Sequence, residues 1–194
     1  MGTLGGVSQY VPFPADGHTV MWSTWERDGT ERLDIRWENE GWTASGVVGR
    51  ERVQYVLRLT PSWQVRQFLL FRDLDEPDLW LFTDGSARWA EMNGAERPEL
   101  HGCYDIDLPV TPFTNTLPIR RLPLQVGDTA ELSVVYIDVE TLEVRPDRQR
   151  YTRLDTHRWR FEQVETGFVQ EIDVDEHGLV LDYPTLFRRH SDTI

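Results

Sequence analysis

The chain has 194 residues, of which 39% are hydrophobic and 27% charged, a length and balance that fit one large globular domain. Its formal net charge of −13 repels phosphate backbones and anionic bilayers, so neither nucleic acid nor a bulk membrane surface is an expected partner. All 20 basic residues are arginine, which excludes a lysine Schiff base and makes every basic group a planar fork suited to carboxylate, phosphate or stacked partners.

The first stretch, residues 1–18, reads as a flexible arm rich in Gly and Pro, with neither the basic residue nor the apolar run of a signal peptide. No apolar run approaches the ~18 residues of a membrane-spanning helix. Cys103 is the only cysteine, so no internal disulfide forms, and these features together point to a cytoplasmic location. The second expected unit, 19–194, is a single domain without an interior linker, repeat or low-complexity tract.

Strands dominate that unit. Thr19–Glu26, Leu33–Glu38 and Trp42–Val48 are separated by Asp28-Gly29 and Glu40-Gly41, and Asp28-Gly29 reads as a hairpin turn whose glycine accepts the backbone a tight turn needs. Val53, Tyr55, Leu57 and Leu59 alternate with polar or smaller residues, the period of a half-buried strand. After Pro61-Ser62 the run from Trp63 to Phe71 alternates too, and becomes apolar on both faces near its end, which predicts cover on both sides. Leu79–Thr83 and Ala87–Met92 flank Asp84-Gly85 as another hairpin. The segment Leu100–Arg121 breaks the alternation, and Thr114–Arg121 is its one helix candidate, with Thr114 or Asn115 as cap and Pro118 tolerated in the first turn. Glu131–Val139, Arg148–Leu154, Arg158–Val164, Phe168–Val174 and Leu179–Leu181 complete an antiparallel series of about eleven or twelve strands. A sheet of that size must curl into a barrel, half-barrel or sandwich. The fold class is therefore all-β dominated, with at most one or two short helices. Exposed edge strands are compatible with a monomer or a homodimer.

Several stretches carry a family resemblance. They are Gly102-Cys103-Tyr104-Asp105-Ile106-Asp107-Leu108, then Thr111 to Pro118 (TPFTNTLP), QRYT at Gln149–Thr152, and GLVLDYPTLFRR at Gly178–Arg189. With Trp42, Gly46-Val47-Val48 and Trp63-Gln64-Val65-Arg66, they resemble the glycolipid-binding family over about Val20 to Arg189. The resemblance implies a strongly curved antiparallel half-barrel, similar to the bacterial lipoprotein localization factors that hold acyl chains. It implies no catalytic residues.

Candidate site residues follow from both readings. Eight tryptophans fill a sheet core or wall a ligand groove, and Trp63 and Trp89 stand nearest the polar segment. Asp105 and Asp107 point the same way on a strand; they would share a proton, bind a metal with His101, or pair with Arg120 and Arg121. Asn115 with its flanking threonines, and Arg120, suit a sugar or phosphate headgroup. Arg66 and Arg150, beside Tyr151, would hold an anionic headgroup if they face inward and are surface groups if they face outward. Cys103 and His101 share a face on a strand but lack a protease signature. Asp173, Asp175, Glu176 and His177 form an acidic turn without the spacing of a calcium loop. The expected function is non-enzymatic binding of an amphiphile, a lipid or glycolipid, in the concave groove, with no cofactor and no metal. Two alternatives stay open: an enzyme acting on a sugar or lipid with Asp105 and Asp107 as acid–base pair, and an interaction protein whose groove is plugged by its own chain.

Overall fold

A computed structural model describes residues 10–49, 52–73 and 76–190. The first half is a meander of β1 (His18–Thr24), β2 (Thr30–Glu38), β3 (Gly41–Val48), β4 (Val53–Leu59), β5 (Val65–Phe71), β6 (Leu79–Thr83) and β7 (Trp89–Glu91). A short strand, β8 (Asp105–Asp107), then precedes a 3-10 turn at Phe113–Asn115 and the helix α1 (Thr116–Arg121). The second half is β9 (Thr129–Ile137), β10 (Val144–Asp155), β11 (Arg158–Gln163), β12 (Phe168–Val174), β13 (Val180–Tyr183) and β14 (Phe187–Arg189).

All fourteen strands lie in one open sheet, in the order β7-β6-β5-β4-β3-β2-β1-β14-β13-β12-β11-β10-β9-β8. Two meanders are joined in the middle, where β1 pairs with β14 and Trp22 lies opposite Arg189. Every pairing among the named strands is antiparallel except β8 with β9. The count exceeds the expected eleven or twelve because β8 and β14 are three residues long, too short to show a period of two. The half-barrel class holds. The sheet curls so far that its two ends meet without pairing: Arg72 Nη1 donates to the Glu140 carbonyl at 3.1 Å and Arg97 Nη2 to the Val144 carbonyl at 3.4 Å.

The helix forms where the sequence predicts it. Pro118 falls in its first turn, where no intrahelical N–H is required. It stops at Leu122, which is extended because it precedes Pro123. Asn115 occupies the cap position, but its amide does not cap the helix. Tyr10–Gly17, expected within a flexible arm, is instead packed down. Tyr10 accepts a hydrogen bond from Trp159 Nε1 at 2.7 Å, and Phe13 is buried beside Trp42, Trp63 and His177. These rings gain more by burial than the arm loses in freedom. The remainder of the expected arm, 1–9, lies outside the described residues. Among the described residues no helix is long and apolar enough to cross a membrane.

Candidate functional site

The concave face of β1–β7 is not an open groove. Leu33, Ile35, Leu57, Phe68, Leu70 and Trp89 form one buried cluster with Leu100, Cys103, Ile106, Leu108, Phe113 and Leu117 from the segment between β7 and β9. The chain thus supplies its own filling. Gly46 makes this possible, since a Cβ there would strike the Tyr55 ring. The ring therefore lies flat against the sheet, stacked on Phe113, and its hydroxyl donates to Glu31 Oε1 at 2.6 Å. Thr111 donates to the same carboxylate oxygen at 2.8 Å and accepts from the Phe113 N–H at 3.0 Å. Glu31 thereby ties the inserted segment to β2. Burial and the Glu31 charge hold the Tyr55 hydroxyl well above its ordinary pKa, so it stays a donor.

Beyond the filling, the second half of the sheet leaves a cleft of about 220 Å³. Its aromatic wall is Phe161, Phe168, Tyr183 and Phe187, whose neighbouring rings meet at 6.2 to 6.5 Å. Its polar side is Asp107, Asn115, Tyr136 and Gln163. Asp107 Oδ2 accepts from Gln149 Nε2 at 2.7 Å, and Oδ1 from the Thr114 hydroxyl at 3.3 Å. Burial, reinforced by the nearby Asp147 carboxylate, pushes the Asp107 carboxyl up to about 6 despite these donors. Asp147 is itself fully buried and is held by Arg145 Nη1 at 3.1 Å and Gln163 Nε2 at 3.0 Å. Burial, aided by Asp107, raises the Tyr183 hydroxyl, so it too remains protonated. Among the described residues, neither the Tyr136 nor the Tyr183 hydroxyl has a hydrogen-bond partner, so both are available to a ligand.

A second cleft of about 250 Å³ adjoins the first across Pro109, Leu186 and Phe187. Trp22, Trp25, Val48 and Val110 give it an apolar wall, and Glu26, Asp28 and Glu31 a carboxylate rim. Both clefts are smaller than the ~300 Å³ at which sites for drug-sized ligands begin. Each therefore matches a single ring or a short chain.

The residues singled out in the sequence separate into distinct places. Asp107 and Asn115 line the first cleft, where Asn115 Nδ2 donates to the Tyr151 hydroxyl at 2.9 Å. Tyr151 lies behind that amide, fully buried. Asp105 shares the face of β8 with Asp107 but is committed to Arg121, whose Nε and Nη2 reach its two oxygens at 3.1 and 2.5 Å. Trp63 and Trp89 are core residues. Trp89 Nε1 donates to the Cys103 carbonyl at 2.8 Å, and Trp63, at φ 66°, is packed against Phe13, Trp42 and Arg120. Arg120 lies behind α1, stacked 4.4 Å over Trp63, and donates to the carbonyls of Val11 and His177. Burial lowers its pKa to about 10. Arg66 faces outward over the Gly85 turn, and Arg150 faces outward between Glu131 and Glu162. Cys103 is buried while His101 is exposed, and burial pushes the thiol up to about 11, so the two do not form a nucleophile and base. In the acidic turn, Asp175 pairs with Arg189.

The sequence reading misses Tyr136, Gln163 and Tyr183, which line the first cleft, and three buried polar residues that support its surroundings. Asp147 and Gln149 share the inward face of β10 with Tyr151 and Arg153, and Glu31 shares that of β2 with Leu33 and Ile35. Their signal was present: each falls on the same parity as buried neighbours in a strand, where an acid or amide must have partners.

A curved sheet of fourteen strands, filled by the segment between β7 and β9 and left with two small clefts, defines the chain as an all-β protein of the curved-sheet class. The family profile described as "Putative glycolipid-binding" matches residues 19–189, and the chain belongs to that family. The crystal structure of a DUF1089 family protein from Pseudomonas aeruginosa is similar, with a TM-score of 0.69 and 33% identity over 98% of this chain and 99% of that one. No curated protein matches the chain.

Proposed function

We propose that the protein is a non-catalytic binder of a small amphiphile and holds a sugar-like polar headgroup in the cleft between Asp107 and Tyr183. One observation carries this reading: four aromatic side chains converge with a carboxylate, two amides and two unengaged phenol hydroxyls around about 220 Å³. Aromatic faces suit the C–H faces of a sugar ring, and the polar groups suit its hydroxyls. The family's description is consistent with such a ligand. The expected acyl-chain site along the concave floor is not retained, because Phe113, Leu117 and Leu108 fill it. An alkyl portion would lie instead toward Trp22, Val48 and Leu186.

The test is calorimetric titration with methyl glycosides and short alkyl glycosides, on wild type and Tyr183→Phe. Saturable binding that drops about tenfold in the variant, the effect of one lost hydrogen bond to a ligand, is the expected result. Absence of binding and of thermal stabilisation across the panel would refute the reading.

A second reading rests on Asp107 itself. A carboxyl raised to about 6 in a cleft is poised as a general acid or base. Asp105 is held by Arg121, so Asp107 alone would act. Turnover of chromogenic glycosides that is lost in Asp107→Asn would favour this reading over simple binding.

A further inference from the structure

The tip of the β1–β2 hairpin borders a feature at odds with the protein's charge. A concavity of about 450 Å³ is lined by Ser23, Thr30, Arg27, Arg188, Arg189 and His190, with no carboxylate among them. The strand register explains the arrangement. Ser23 lies opposite Thr30 of β2 on one side and Arg188 of β14 on the other, so two hydroxyls lead directly to a guanidinium. Arg27 stands in the hairpin turn at φ 62°, a conformation that glycine or asparagine adopts more readily. Its backbone N–H donates to the Thr24 carbonyl at 3.0 Å, while its guanidinium makes no hydrogen bond or ion pair among the described residues.

The other basic groups are partly engaged. Arg188 lies 4.1 Å over the Trp25 ring and gives its Nε to Asp182 at 3.4 Å, leaving both Nη groups without a partner among the described residues. Arg189 is paired with Asp175 and contributes less. The His190 backbone N–H donates to the Met21 carbonyl, which places its ring at the rim. Asp182 and Asp175 offset part of the charge of Arg188 and Arg189, but the Arg27 guanidinium and both Nη groups of Arg188 still face the concavity unpaired, and an anion would satisfy them. The net charge of −13 does not cancel this, because screening confines the opposing field to roughly 8–10 Å while the forks act at contact.

We propose that this concavity binds a phosphate-type oxyanion, held by Arg27, the free Nη groups of Arg188 and the Ser23 and Thr30 hydroxyls. Its source is either a soluble phosphomonoester or the phosphoryl group of a lipid headgroup. Ser23 and Thr30 also border the Trp22 cleft, so the anion would sit beside that cleft. The inference stands whether or not the Asp107 cleft binds a sugar.

The experiment titrates inorganic phosphate and glycerol phosphate against the full chain at constant ionic strength, with chloride as reference. In parallel, flotation is measured on phosphatidylcholine vesicles with and without phosphatidic acid. Arg27→Asn keeps a residue that accepts the left-handed turn, and Arg188→Gln is the second variant. The expected result is saturable phosphate binding, absent with chloride, that weakens about tenfold or more in each variant, while melting temperatures without ligand stay unchanged. Soluble esters binding without flotation assign the soluble source, and flotation that needs phosphatidic acid and Arg27 assigns the lipid. Equal effects of phosphate and chloride, or binding that survives both substitutions, overturn the proposal.

Discussion

Replacing Asp107 with asparagine is expected to stabilise the protein at neutral pH. The carboxyl titrates at about 6 in the folded chain against 3.8 for an unperturbed aspartate. Between those values the native state holds the proton more tightly than the unfolded chain does. Stability therefore falls as pH rises through that window, the opposite of the usual carboxylate. A difference of about two units corresponds to roughly 3 kcal/mol at ~1.36 kcal/mol per unit. Asp107 is only half-buried, so solvent screening reduces this to about 1–2 kcal/mol. Asparagine keeps the shape and one acceptor for Gln149 or Thr114, and it removes the charge that faces Asp147. Urea unfolding of both proteins between about pH 3.5 and about 8 measures the effect. The variant should match the wild type in acid and exceed it progressively, reaching a plateau above about pH 7. Several other carboxylates, Asp34, Asp78 and Asp138 among them, are lowered by their donors and lose stability only in stronger acid. They cancel in the difference between the two proteins. A difference that is constant with pH, or a variant less stable at neutral pH, would refute the placement of Asp107 in a desolvated site beside a second carboxylate.

Other expectations follow from the packing. Arg120→Ala leaves the His177 carbonyl without its donor and the Val11 carbonyl with only the His177 ring, so hydrogen exchange at Tyr10–Gly17 should rise and stability fall by about 2–4 kcal/mol. Tyr55→Phe removes one of the donors that hold the buried Glu31 carboxylate and should cost about 1–3 kcal/mol in urea unfolding. Gly46→Ala drives a methyl into the Tyr55 ring and should cost about 1–3 kcal/mol, an effect that a second change, Tyr55→Leu, partly relieves. Cys103, with its thiol raised to about 11 and buried, should resist alkylation at neutral pH until the chain is unfolded, as mass spectrometry of iodoacetamide-treated protein would record.

The sequence by itself determined that this protein is built of mostly antiparallel strands with one short helix. Local signals suffice for that: alternation in β4 and β5, glycine turns between strands, and a proline-limited helix at Thr116–Arg121. They also suffice to say that Arg150 and Tyr151 point to opposite faces, which makes them unable to serve one site. What alternation does not say is which face is concave and what already occupies it. Trp63 and Trp89 proved to be core residues because distant parts of the chain, Phe13 and the Cys103 carbonyl, reached them first. Arg120 and Arg121 sit next to each other, yet one stabilises backbone carbonyls behind the helix and the other neutralises Asp105. The cleft residues Asp107, Asn115, Tyr136, Gln163 and Tyr183 come from five separated segments. Only the curl of the sheet brings them within reach of one ligand, because a site of this kind is built from contacts between residues far apart in the chain, which no local period records.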